Sequence, residues 1–199
     1  LVCLLLDIPI GVYFIIVKGW LLLPIIIIGA VCVLLYTPFI LKLKWPEWSP
    51  GLGLGTLPVL GAYFVQTGVY TLPAILASIP SGILVHNLLL LNEFPDVEAD
   101  KKADRKTLPI TMGKKKAGIV YSVVTVMVYL WIIGGVAAQI MPIFSLIALL
   151  TLPFAIKAIQ GALKPHEMDK LVPAMANNVF VVLLTQLLLG IGYILAGVF

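Results

Sequence analysis

Apolar residues run along this chain in blocks of about twenty, with the polar positions gathered between the blocks rather than alternating within them. Blocks of that length suit helices that cross a bilayer, and the absence of alternation argues against a membrane barrel. Seven spans are predicted, roughly at 1–17, 20–41, 48–68, 71–92, 117–138, 141–160 and 177–198. Pro24, Pro58, Pro73, Pro80, Pro142 and Pro153 fall inside them. Intramembrane helices tolerate proline where neighbours satisfy the freed backbone groups. The expected fold class is all-α, a polytopic transmembrane helical bundle.

Composition sharpens that picture. The 199 residues are 61% apolar and 11% charged, with a mean hydropathy of +1.13, which excludes an ordinary soluble domain. A single transmembrane domain over 1–199 is expected. The net charge of +4 would suit nucleic acid on a soluble face, but here the charges lie in membrane loops. No nucleic-acid partner is implied. Cys3 and Cys32 sit in apolar runs and read as small packing residues, not a disulfide or metal pair. The chain opens at Leu1 inside an apolar run, without the features of a signal peptide, and reads as a truncated sequence.

The basic residues sort by side. Lys42 and Lys44 follow the second span, and Lys101, Lys102, Arg105, Lys106 and Lys114 to Lys116 follow the fourth. Lys157, Lys164 and Lys170 lie at or after the end of the sixth, leaving Lys18 alone on the other side. The positive-inside rule then makes the protein a multi-pass component of the cell membrane, with the loop at about 92–116 in the cytoplasm. Asp7 within the first span would be costly if exposed at the helix centre, at about 2.5–3.5 kcal/mol. It is expected to face the bundle or lie near the cytoplasmic end. His86 and Asn87, inside the fourth span, are polar groups at depth and so functional candidates, although a lone His there is more often a packing or hydrogen-bonding residue; the 161–177 loop could lie along the membrane surface.

Candidate chemistry concentrates between Asn92 and Lys106, where five acidic and four basic residues fall within fifteen positions. Asp96, Asp100 and Asp104 are spaced four apart, so on a helix they would line one face. Pro95 is a possible break that would shift the phase of Asn92. Hard oxygen ligands at this spacing suit Mg²⁺, which takes one or two carboxylates and completes its shell with water and phosphate. At a membrane surface that implies a diphosphate carrying an apolar tail.

Asn92-x-x-x-Asp96-x-x-x-Asp100, then Arg105-Lys106-Thr107-Leu108 and Met112-Gly113-Lys114-Lys115, resembles the second aspartate-rich motif of the UbiA superfamily of intramembrane prenyltransferases. Gly61-Ala62-Tyr63-Phe64-Val65-Gln66-Thr67-Gly68 resembles a further stretch of its 1,4-dihydroxy-2-naphthoate branch, which acts in menaquinone synthesis. The resemblance implies a bundle of nine helices, with the first two and an Asn-Asp-x-x-Asp motif upstream of Leu1, and no turnover by the 199 residues alone. It implies transfer of a polyprenyl group from an allylic diphosphate to an aromatic acceptor, with Mg²⁺ assisting ionisation.

The resemblance assigns metal binding to Asp96 and Asp100, with Asn92 as a ligand or orienter. Asp104 falls where relatives often carry glycine and is a weak third ligand. Arg105 and Lys106 match basic positions that could hold diphosphate oxygens. Lys42, Lys44 and Glu47 match a loop of basic residues followed by Gly-Glu, although the glycine is missing. Tyr63 and Gln66, three apart, share a helical face; both are candidate substrate-binding residues, and Tyr63 could line the allylic cation with its ring face, or the two could form an ordinary interhelical hydrogen-bond pair. The archaeal ether-lipid branch is an alternative, on Thr107-Leu108-Pro109-Ile110 and the Gly113 to Ala117 stretch. A transporter with an acidic gate is another, but apart from Asp7 and His86 the middles of the spans lack ionisable groups, and no repeat is evident.

Overall fold

The computed structural model describes the backbone of residues 2–198 and side chains from Leu5 to Val198. Cys3 therefore lies outside the described side chains. Helix α1 spans Val2–Lys18 and α2 Trp20–Leu34. Helix α3 covers 48–67, with a wide π turn at Gly51–Thr56. Helix α4 is Leu72–Lys102, and the short α5 is Leu108–Thr111. Helices α6 (Lys114–Ala137), α7 (Ile143–Ala162) and α8 (Met168–Val198) complete the chain. No strand occurs among the described residues. Helices α4, α6, α7 and α8 are each long and apolar enough to cross a membrane.

The seven rods match the seven expected spans, with three corrections. Helix α2 stops at Leu34 rather than near 41, and the chain then turns through Tyr36 to Lys42. Helix α8 begins at Met168, so most of the expected 161–177 loop is helical and only a short turn follows Ala162. Helix α4 continues ten residues past Asn92, through both Pro80 and Pro95. Proline removes one N–H from the ladder, but in a long helix packed on several sides the break is confined to that bond. Thr71 starts α4 by accepting a hydrogen bond from the Ala74 N–H at 3.3 Å.

Helix α4 is the axle. It packs on α3, α6 and α8, and its middle buries Leu84, His86, Asn87, Leu90 and Leu91. The α3–α4 crossing is tight because glycines meet there. A Cβ on Gly55 would lie 2.5 Å from the Gly82 Cα, so only hydrogen fits. Polar side chains tie the other helices to α4. Asn87 donates to Thr125 Oγ1 at 2.9 Å and to the Tyr121 carbonyl at 3.1 Å. The Tyr121 hydroxyl donates to Asn178 Oδ1 at 2.9 Å, and Asn178 donates back to the Asn87 carbonyl at 3.3 Å. Three helices are thus closed into one ring of hydrogen bonds.

The first two rods are looser. Leu5, Leu6, Ile8, Ile10 and Ile16 of α1 are all exposed. Asp7 is exposed as well and does not face the bundle. It lies about 7.5 Å along the helix from Val2, in the half nearer the Asp-rich end. Cys32 is buried, with its Cβ against Gly53, as a packing residue would be.

Candidate active site

Because α4 does not break at Pro95, Asn92, Asp96 and Asp100 follow one another a turn apart on one continuous helix. Asn92 and Asp96 are exposed, and Asp100 is buried. Asp104 does not extend the series. The helix ends at Lys102, and Asp104 sits in the following turn with φ of +55°. That conformation favours glycine, which gives a backbone reason for the poor motif match there.

The Asp100 carboxylate accepts from Arg105 Nη1 at 2.8 Å, across the turn that ends α4. One donor of the guanidinium is spent on this contact, and the side chain is still half exposed. Two loops are then pinned together. The Lys106 N–H donates to the Leu41 carbonyl at 2.8 Å, and Thr111 Oγ1 to the Lys44 carbonyl at 3.3 Å. Glu47 lies fully buried, and its Oε1 accepts from the Leu108 N–H at 2.6 Å. The carboxylate so caps the first turn of α5 from across the site. Glu47 therefore acts as a bracket between the two loops.

Lys42, Lys44 and Lys106 are exposed around this bracket, with no acidic partner within 4 Å among the described residues. Below Asn92 on the same face stands Leu89, which borders a cavity of about 310 Å³ with Cys32, Tyr36, Ser49, Pro50 and Gly53. Burial, and then the carboxylates of Glu93 and Glu47, push the Tyr36 phenol up to about 12, so it is neutral over the working range. Pattern reading missed Tyr36 and Glu93. Tyr36 was absorbed into the apolar span before it, and Glu93, one residue past the motif asparagine, is buried beside Glu47. The clue available was a phenol standing where an apolar run meets a basic loop.

The same helix carries a second loop anchor. Trp45 donates its indole N–H to His86 Nε2 at 2.8 Å. An indole can only donate, so that nitrogen accepts and the imidazole proton sits on Nδ1, 3.1 Å from Asn87 Oδ1. His86 and Asn87 are thus both engaged in hydrogen bonds within the bundle. Tyr63 and Gln66 are brought elsewhere. They lie at the far end of α3 from Glu47, about 20 Å along the helix. There Thr71 Oγ1 donates to the Tyr63 hydroxyl at 3.2 Å, and Gln66 bonds back to the Ala62 carbonyl.

Among the described residues no group of three or more His, Cys, Asp and Glu side chains is arranged to hold a metal ion. The donor set here is smaller and of one kind. Asp96 is unpaired and open, with Asp100 one turn on, and both offer hard oxygens. That suits a Mg²⁺ ion whose shell is completed mainly by water and phosphate.

A helical membrane bundle with an acidic helix end, a basic rim and an apolar cavity beneath defines a class, and sequence comparison gives the family. The chain belongs to the UbiA prenyltransferase family, which matches over residues 1–184. Its similar curated relatives include the 1,4-dihydroxy-2-naphthoate octaprenyltransferase of Bacillus subtilis (strain 168), 30% identical over 189 residues. That match covers 94% of this chain and 61% of the relative. The enzyme of the same name from Haemophilus influenzae is 26% identical over 141 residues, covering 71% of this chain and 46% of the relative. The chain thus spans less than two thirds of the length of either. No solved structure matches it significantly.

Proposed function

We propose that residues 1–199 act as one transmembrane unit of a Mg²⁺-dependent enzyme moving a polyprenyl group from an allylic diphosphate to an aromatic acceptor. The names of the two relatives support 1,4-dihydroxy-2-naphthoate as that acceptor, a reaction of menaquinone synthesis. The observation that carries the reading is Asn92 and Asp96, open and a turn apart on α4, above the cavity that Leu89 borders. Under the positive-inside rule this end of the bundle is cytoplasmic.

Asp96 and Asp100 would hold Mg²⁺, which when bound offsets the negative charge that grows on the departing diphosphate. Arg105 is anchored by Asp100 and keeps donors free to bind diphosphate oxygens, where its planar fork fixes orientation. Lys106, Lys42 and Lys44 add point charges around the same rim. The pinned loops hold these charges in place before substrate arrives, which is what makes electrostatic stabilisation effective. The apolar cavity receives the first part of the tail and keeps water from the reacting carbon. Tyr36, neutral at its edge, offers a ring face or a hydroxyl to the substrate without adding charge.

The test uses a version of the chain extended to the length of its relatives, in membranes with Mg²⁺, a polyprenyl diphosphate and 1,4-dihydroxy-2-naphthoate. Prenylated naphthoate should form, and EDTA should stop it. No product with any aromatic acceptor, while the protein is folded and the diphosphate is supplied, would sink the reading.

A further inference from the structure

A second charged feature lies away from the Asp-rich helix end, between the end of α7 and the start of α8. A groove of about 820 Å³ opens there at the same end of the bundle, lined in part by Lys157, Gln160, Lys164, Asp169, Lys170 and Asn177. Three ammonium groups outnumber two carboxylates there, Asp169 in the lining and Glu167 beside it. Lys157 has no acidic partner within 4 Å among the described residues, and Lys164 and Lys170 hold theirs only loosely, at 3.8 and 3.5 Å. All three lysines are exposed.

The position of Lys157 matters most. It stands five residues before the end of α7, so its Cα is about 7.5 Å below the helix end and within an apolar span. A lysine at that depth must stretch its amine toward the interface and find an anion or water. Asn177 lies nine residues into α8, about 13 Å along, so the groove reaches from the rim to below the headgroup level. Its base is set by close packing. A Cβ on Gly161 would come within 2.5 Å of the Lys170 carbonyl, so α7 and α8 touch and the groove has a fixed floor. Beside it, Ile156 and Val172 are 52% and 55% exposed, apolar surfaces suited to acyl chains.

Ammonium groups reaching up to the rim, the Asn177 amide below them and apolar walls beside match a lipid in order of depth: phosphate, glycerol esters, acyl chains. We propose that this groove binds one anionic glycerophospholipid, its phosphate held by Lys157, Lys164 and Lys170. Basic pockets between helices at a membrane face are a recurrent way of holding such headgroups. The site uses none of the residues assigned to prenyl transfer.

The experiment titrates phosphatidylglycerol or phosphatidylcholine into the purified chain in detergent micelles, reading thermal unfolding and the number of lipids retained in native mass spectrometry. Phosphatidylglycerol should raise the melting temperature and leave one retained lipid; phosphatidylcholine should do neither. The triple variant Lys157→Gln, Lys164→Gln, Lys170→Gln should lose both effects. A triple variant of equal charge loss, Lys114→Gln, Lys115→Gln, Lys116→Gln, should keep them. Should the groove triple not fold, Lys157→Gln alone should weaken the apparent affinity about fivefold. Retention of the lipid at full affinity by either groove variant overturns the site. Equal loss in the control triple means diffuse surface charge and also overturns it. Stabilisation by inorganic phosphate alone, matching that by the lipid, means a free-anion site and overturns the assignment to lipid.

Discussion

At one end of α4, Thr71, Ala77 and Ser81 border an uncharged cavity of about 610 Å³ that they share with Tyr63, Gln186 and Tyr193. At the other end, Asn92, Asp96 and Asp100 stand among lysines, an arginine and two loops stitched together. The polar contacts differ in kind. Ser81 donates to Gln186 Oε1 at 2.6 Å and Thr71 to Tyr63 at 3.2 Å, neutral pairs that settle helix packing. At the acidic end carboxylates take part, in the Asp100 to Arg105 and Glu47 to Leu108 bonds, and further bonds join the two loops across as many as 67 residues. The difference teaches that one helix can separate two tasks along its length, with space at one end and preorganised charge at the other.

The largest effect expected to test this division is loss of Asp96. In a version extended to the relatives' length, Asp96→Ala should lower prenyl transfer by about 10²–10³ or more while leaving the protein folded in detergent. Asp104→Gly should cost far less, since its left-handed backbone suits glycine. Equal losses at both would restore Asp104 as a ligand. Next comes the bracket. Glu47→Ala strands the Leu108 N–H in a buried place and should cost about 1–3 kcal/mol in thermal or denaturant unfolding, whereas Glu47→Gln keeps an acceptor and should cost less. Unchanged stability in the alanine variant would mean that the loops do not depend on this bond. Smaller still, Tyr121→Phe removes one interhelical bond and should cost about 0.6 kcal/mol by the same measurement. The smallest effect should be Tyr63→Phe, which loses only a 3.2 Å contact at the uncharged end. A fall in turnover as large as that of Asp96→Ala would break the comparison.

Much of this arrangement was legible in the sequence. The seven rods follow from the apolar blocks, and the Asn92, Asp96, Asp100 series from its spacing. What pattern could not supply was the boundary between membrane and site. Helix α4 runs past its apolar block because Pro95 sits in a helix already braced by neighbours, so continuity was decided by tertiary packing. Asp104 fails for the opposite reason, since spacing of four has meaning only while the helix lasts. Glu47 matched a motif, yet its use as a cap depends on α5, an element of four residues too short to leave a periodic signal. Tyr63 and Gln66 share a face as predicted, but a shared face says nothing about which end of the bundle it meets.

The Glu47 to Leu108 bond also orders events during synthesis. Its partners are 61 residues apart, with the whole of α4 between them. As the chain emerges, Glu47 appears with the acceptor oxygen but without its donor, and α3 and α4 must both cross the membrane before Leu108 can reach it. Until then a carboxylate destined for burial stays in water, where it carries no penalty. Closure of the bracket therefore follows the crossing of α4, and it reports that the acidic end has returned to the starting side. A full chain in which the bracket could not close would hold Asp96 and Asp100 on a formed helix while the loops beside them remained unjoined.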